Sequence, residues 1–142
     1  MQVTITSIQM RADGRWQVEF DAAHGHGAGI WHASHHGDPQ PGNVYQIEFT
    51  LEDPVWMQDN AEPTSRREFA LAVTDRGVVM TVRVEHLDSD SVAAFRLGAD
   101  CVFLSDVADP QIEIGKWLRV SIHVDRLGLF PYDAGSFEVI ET

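Results

Sequence analysis

The chain has 142 residues, 44% hydrophobic and 23% charged, with 10 basic against 22 acidic side chains and a formal net charge of -12. That size suits one ordinary domain whose core needs no staples, and the single cysteine, Cys101, excludes an internal disulfide and argues against a cysteine-based zinc site. An exterior this acidic attracts basic partners and repels nucleic acid and anionic membranes.

Period-2 alternation of apolar and polar residues dominates the chain. A first strand is expected over residues 3–8. Asp13-Gly14 is a hairpin signal. It leads into a strand with Trp16, Val18 and Phe20 on one face and Gln17, Glu19 and Asp21 on the other. Residues 22–42, rich in Gly and His, read as a long loop. Tyr45, Ile47, Phe49 and Leu51 then alternate with Val44, Gln46, Glu48 and Thr50. A second long loop over residues 52–65 carries Asp53-Pro54, Asp59-Asn60 and Glu62-Pro63. Loops of such length are more often functional or disordered than incidental. Phe69, Leu71 and Val73 form the next apolar set, and Asp75-Arg76-Gly77 turns the chain into Met80, Val82 and Val84. Residues 78–87, 92–97 and 101–104 read as a meander, with Asp88-Ser89-Asp90-Ser91 and Gly98-Ala99-Asp100 at its turns. Leu118, Val120, Ile122 and Val124 alternate with polar residues, and residues 137–140 read as a last short strand.

One face buried and one solvated is the pattern of antiparallel sheets. About nine or ten closely spaced strands predict an all-β fold, a sandwich or barrel-like sheets. No linker composition interrupts the chain, so residues 1–142 are read as a single β domain. Residues 42–51 and 115–124 share a leading Gly and the same inward positions. A duplicated β-unit produces this, and so do any two amphipathic strands after a Gly turn.

Two sets of residues are candidates for binding. The first is acidic: Glu52, Asp53, Asp59 and Glu62 in one loop, Asp88 and Asp90 in another, and Asp106, Asp109 and Glu113 in a third. Asp88-x-Asp90 is not a calcium loop of the EF-hand type, because Val92 and Ala93 stand where a third oxygen ligand and a Gly belong. With Trp31 and Trp56, which read as loop residues exposed for contact, the acidic loops form the expected surface for a basic protein. The second set is His24, His26, His32, His35 and His36, five histidines within thirteen residues. Imidazole is the commonest transition-metal ligand, so this tract is the alternative site, for zinc or nickel. Ala33 after His32 breaks the zincin pattern, and the interleaved glycines oppose a helix that would align the rings. No Gly-x-Ser-x-Gly elbow is present, and Cys101 between apolar residues reads as a small buried hydrophobe. No catalytic residues and no cofactor are expected from the leading reading.

The stretch Val82-Arg-Val-Glu-His-Leu-Asp-Ser-Asp-Ser-Val-Ala-Ala-Phe-Arg-Leu-Gly-Ala-Asp100, with Ile114-Gly-Lys-Trp-Leu-Arg-Val-Ser-Ile-His-Val124 and Leu129-Phe-Pro-Tyr-Asp133, resembles small bacterial β-proteins. Some of these are similar to immunity proteins of polymorphic or contact-dependent toxin systems. The resemblance covers about the last 60 residues and consists of strand and turn chemistry. It implies a non-catalytic cytoplasmic inhibitor that covers a toxin domain, and it transfers no functional residues. Residues 1–5 lack the basic stretch and apolar run of a signal peptide, which gives the same expectation of a cytoplasmic location. A homodimer through edge strands is compatible with the pattern.

Overall fold

The computed structural model describes residues 1–32, 37–107 and 109–132. The expected strand at 137–140 lies outside the described residues. Among the described residues eleven strands form one hydrogen-bonded sheet: β1 (Gln2–Met10), β2 (Trp16–Ala22), β3 (Gly25–Trp31), β4 (Val44–Leu51), β5 (Ala61–Pro63), β6 (Ala70–Thr74), β7 (Gly77–Leu87), β8 (Val92–Arg96), β9 (Val102–Asp106), β10 (Trp117–Ile122) and β11 (Leu127–Tyr132). A single turn of 3-10 helix, Val124–Arg126, joins the last two, so the strand expected to reach Val124 ends at Ile122. The all-β reading holds, in a barrel-like form. No helix among the described residues is long and apolar enough to cross a membrane.

Part of the sheet closes on itself. β1, β2 and β3 form an antiparallel meander. β3 pairs with β11 in parallel, β11 pairs with β4 antiparallel, and β4 returns to β1. The result is a closed five-stranded barrel. The remaining strands extend from its rim in the order β6-β7-β10-β5, and β8 and β9 continue from the far half of β7 as the expected meander. The alternation seen in the sequence supplies the core. Val18, Phe20, Ile47, Phe49, Leu71, Met80, Val82, Val84, Leu118, Val120 and Ile122 are all buried in one cluster. Phe20, Phe49 and Phe103 make successive ring contacts, which join the barrel core to the β8–β9 extension.

The expected loop over residues 22–42 is corrected: Gly25–Trp31 is a central strand of the barrel. Its alternate glycines exist because neighbours come too close for a side chain. A Cβ at Gly25, where φ is 143°, would fall 1.9 Å from the Leu71 carbonyl oxygen. A Cβ at Gly27 would fall 2.4 Å from the Phe20 ring. Glycine inside a strand often marks such close approach.

Candidate functional site

The second long loop is not open chain. It is laced to the two other acidic loops by backbone hydrogen bonds. Val55 N–H donates to the Asp106 carbonyl at 2.9 Å, and Val107 N–H donates to the Ser91 carbonyl at 2.8 Å. Met57 N–H donates to the Asp109 carboxylate at 2.9 Å. Val55, Met57 and Val107 are buried beneath, which fixes the three loops as one surface. Three acidic segments separated in sequence are thus held side by side as one rim.

The carboxylates of this rim have different duties. Arg126, on the 3-10 turn, donates through Nε and Nη2 to Asp53, at 2.7 Å in the closest contact, and lies 3.1 Å from Glu52. The Arg126 hydrogen bonds hold the Asp53 carboxyl below the usual carboxylate range. Glu52 and Asp53, expected to face a partner, are therefore already satisfied within the chain. Asp88 caps its own turn: its Oδ1 accepts from the N–H groups of Asp90 and Val92, each at 2.9 Å. Glu62 stands 3.8 Å from Arg119, loosely paired across β5 and β10. Asp59, Asp90, Asp106 and Glu113 are exposed and have no ion-pair partner among the described residues.

The two loop tryptophans separate. Trp31 is 4% exposed, inside the barrel wall, edge-on to Tyr45, with its indole N–H on the Gly37 carbonyl at 3.0 Å. The expectation that Trp31 meets a partner is therefore corrected, and the cause is the misread strand: a residue on β3 alternates into the core. Trp56 is 48% exposed. Its loop is heavily braced, with the Trp56 carbonyl accepting N–H groups of Asp59, Asn60 and Ala61 and its own N–H donating to Asn60 Oδ1 at 2.8 Å. Gln58 sits in the left-handed region at φ 71°. Two adjoining recesses of about 390 and 710 Å³ share Asp59, Asn60, Asp75, Arg76 and Ser121, and Trp56 lines the larger. Asp75, Arg76 and Ser121 read in the sequence only as turn and strand residues. Nothing local marked them, because the β6–β7 hairpin and β10 bring them to Trp56 from far along the chain.

The histidines are dispersed. His24 precedes β3 and His32 follows it, so seven strand residues separate them, roughly 26 Å at the usual rise. His24 packs edge-on to Phe69, with ring centroids 5.6 Å apart. His32 stacks on Phe130 at 4.1 Å, and burial lowers its pKa. His26 lies between two carboxylates, with Nδ1 2.7 Å from Asp21 and Nε2 3.4 Å from Glu19. These hydrogen bonds, Asp21 first, raise its pKa. His24, His26 and His32 therefore do not converge on one ion, as the metal alternative requires, and no cluster of three metal-ligating side chains occurs among the described residues. His35 and His36 lie outside the described residues. Cys101 is buried, and burial pushes its thiol up to about 11, which leaves no thiolate for nucleophilic chemistry near neutrality.

No protein-family model matches this chain, and no curated protein or solved structure is significantly similar to it.

Proposed function

We propose that this protein is a non-catalytic acidic binding protein that neutralises a basic protein partner, and that the partner is a bacterial toxin domain. On this reading the chain is an immunity protein acting in the cytoplasm. One observation carries it: three acidic loops are laced into one rim that presents exposed, unpaired carboxylates beside the exposed Trp56. Unpaired carboxylates accelerate encounter with a positive surface, and an exposed Trp supplies a desolvated anchor. The contact set is Asp59, Glu62, Trp56, Asp90, Asp106 and Glu113, with Asp88 shaping the turn.

A nucleic-acid partner suits this surface poorly. Small β-barrels that bind single strands use a positive groove lined with stacking aromatics. Here the outer face of β2 and β3 carries Glu19 and Asp21 around His26.

The test is affinity capture of the tagged chain from its native source at low and at high salt, with mass spectrometry of the eluate. A stoichiometric basic protein released by salt is the expected result. Asp59→Lys and Asp90→Lys should then slow association about tenfold together, since steering by rim charges acts mainly on the on-rate. Capture of no protein at either salt, or unchanged association in both variants, would remove the proposal.

A further inference from the structure

The recess beside Trp56 has a lining that an acidic contact surface does not need. The two adjoining recesses are lined by the carboxylates of Asp53, Asp59, Glu62 and Asp75, the guanidinium groups of Arg76 and Arg119, and the side-chain amides of Gln58 and Asn60. Two of the four carboxylates are engaged, Glu62 lying 3.8 Å from Arg119 and Asp53 held by Arg126, which leaves Asp59 and Asp75 beside the guanidinium group of Arg76. Asp59, Asp75 and Arg76 have no ion-pair partner among the described residues. Their hydrogen-bonding capacity is therefore directed at solvent.

We propose that this recess binds a neutral oligosaccharide, with Trp56 as its stacking platform. The inference goes beyond the inhibitor reading and does not depend on it. Its basis is the mixture of donors and acceptors. A sugar hydroxyl both donates and accepts, so its site needs both kinds of group. Carboxylates only accept, guanidinium groups only donate, and amides do both. A recess for a cationic side chain would be lined by acceptors, and one for a phosphate by donors. This recess holds both kinds, and its planar two-pronged groups suit the paired hydroxyls of a pyranose edge.

The pyranose also has an apolar C–H face, which an exposed indole can cover. Trp56 is 48% exposed, and its backbone is fixed by three N–H groups on its carbonyl and by Asn60 Oδ1 on its own N–H. Asn60 is fixed in turn by its side-chain donation to the Pro54 carbonyl at 2.9 Å, and its own carbonyl accepts Ser121 N–H at 2.7 Å. The loop also holds Gln58 at a positive φ, a conformation that persists only where its surroundings enforce it. Preorganisation of this kind lowers the entropy cost of binding a flexible polyol. Aromatic and polar groups converging on a cleft are the general form of a small-ligand site.

The experiment is calorimetric and fluorescence titration of the full chain with cellohexaose, mannohexaose and chitohexaose, and with hexa-arginine as the contrasting probe. We expect saturable binding of at least one saccharide with a change in indole fluorescence, and no loss on added salt, because the ligand is neutral. Trp56→Ala should weaken it by about tenfold or more and abolish the fluorescence change. Arg76→Ala should also weaken it, and Asp90→Lys should leave it unchanged. Both weakening variants are at exposed positions, and an unchanged melting temperature confirms that they fold. Absence of saturable binding for all three saccharides up to roughly 10 mM overturns the proposal, as does binding that Trp56→Ala leaves intact. Preferential, salt-sensitive binding of hexa-arginine also overturns it and leaves the inhibitor reading standing. Saccharide binding together with failure to capture a basic partner would remove the inhibitor reading and leave this one.

Discussion

Gly25 and Gly14 both have positive φ, but their surroundings differ. Gly14 has open space where a Cβ would stand, whereas Gly25 has the Leu71 carbonyl oxygen there. Gly14→Ala should cost about 1 kcal/mol through the backbone alone. Gly25→Ala adds overpacking and should cost about 2 kcal/mol more, read as a larger drop in the denaturant midpoint. His26 gives a pH test. Its pKa is raised above the ordinary 6.5 by Asp21 and then Glu19. The stability it contributes is therefore whole below the unfolded value and is lost as pH rises through the raised folded value. An NMR titration should place the folded pKa above 6.5, and His26→Ala should flatten the decline in stability on the alkaline side. His26 is partly exposed, so the effect is small. Asp53 runs the other way. Arg126 lowers its pKa, so its contribution is present above the ordinary carboxylate value and lost as pH falls through the lowered one.

At the scale of elements, the loop from β4 to β5 depends on its neighbours for shape. Arg126 holds its start, Asp109 and the Asp106 carbonyl hold its middle, and β10 pairs with β5 at its end. Arg126→Ala should leave Glu52 and Asp53 uncompensated. If the partner is basic, this variant should associate faster than the parent, while amide exchange in the loop rises. Slower association would count against a role for the rim's charge. Asp88 has a different job from its neighbour Asp90. Asp88→Ala removes two hydrogen bonds that close the β7–β8 turn and should cost about 1 kcal/mol of stability, whereas Asp90→Ala should cost almost none. Charge-reversal tests of binding are cleaner at Asp59 and Asp90 for this reason.

For the whole molecule, the closed barrel and its extension share one core, so thermal unfolding should show one transition. The net charge of -12 acts at longer range than any single pair. Added salt should slow association with a basic partner steeply once the screening length falls below roughly 10 Å. The same salt should leave saccharide binding unchanged. The two proposed activities, which share Trp56 and Asp59, are thus separable in one solution experiment.

The sequence by itself determined the all-β class, the face of each amphipathic strand, the β7–β8–β9 meander, the first hairpin and the acidic exterior. These rest on period-2 alternation and turn residues, which are local: each strand carries its own record of which face is buried. It misplaced β3 because a strand of alternate glycines carries no such record. Its glycines answer to Phe20, Leu71 and Leu129, which approach from elsewhere in the chain. The same error put Trp31 on the surface and gathered the histidines into one loop, when a strand's length holds His24 from His32. Only the tertiary structure decided that three acidic loops form one rim, that Arg126 neutralises two of its carboxylates, and that Asp75 and Arg76 stand beside Trp56. Those are contacts between residues distant along the chain, fixed by barrel closure and strand pairing, and no local pattern encodes them.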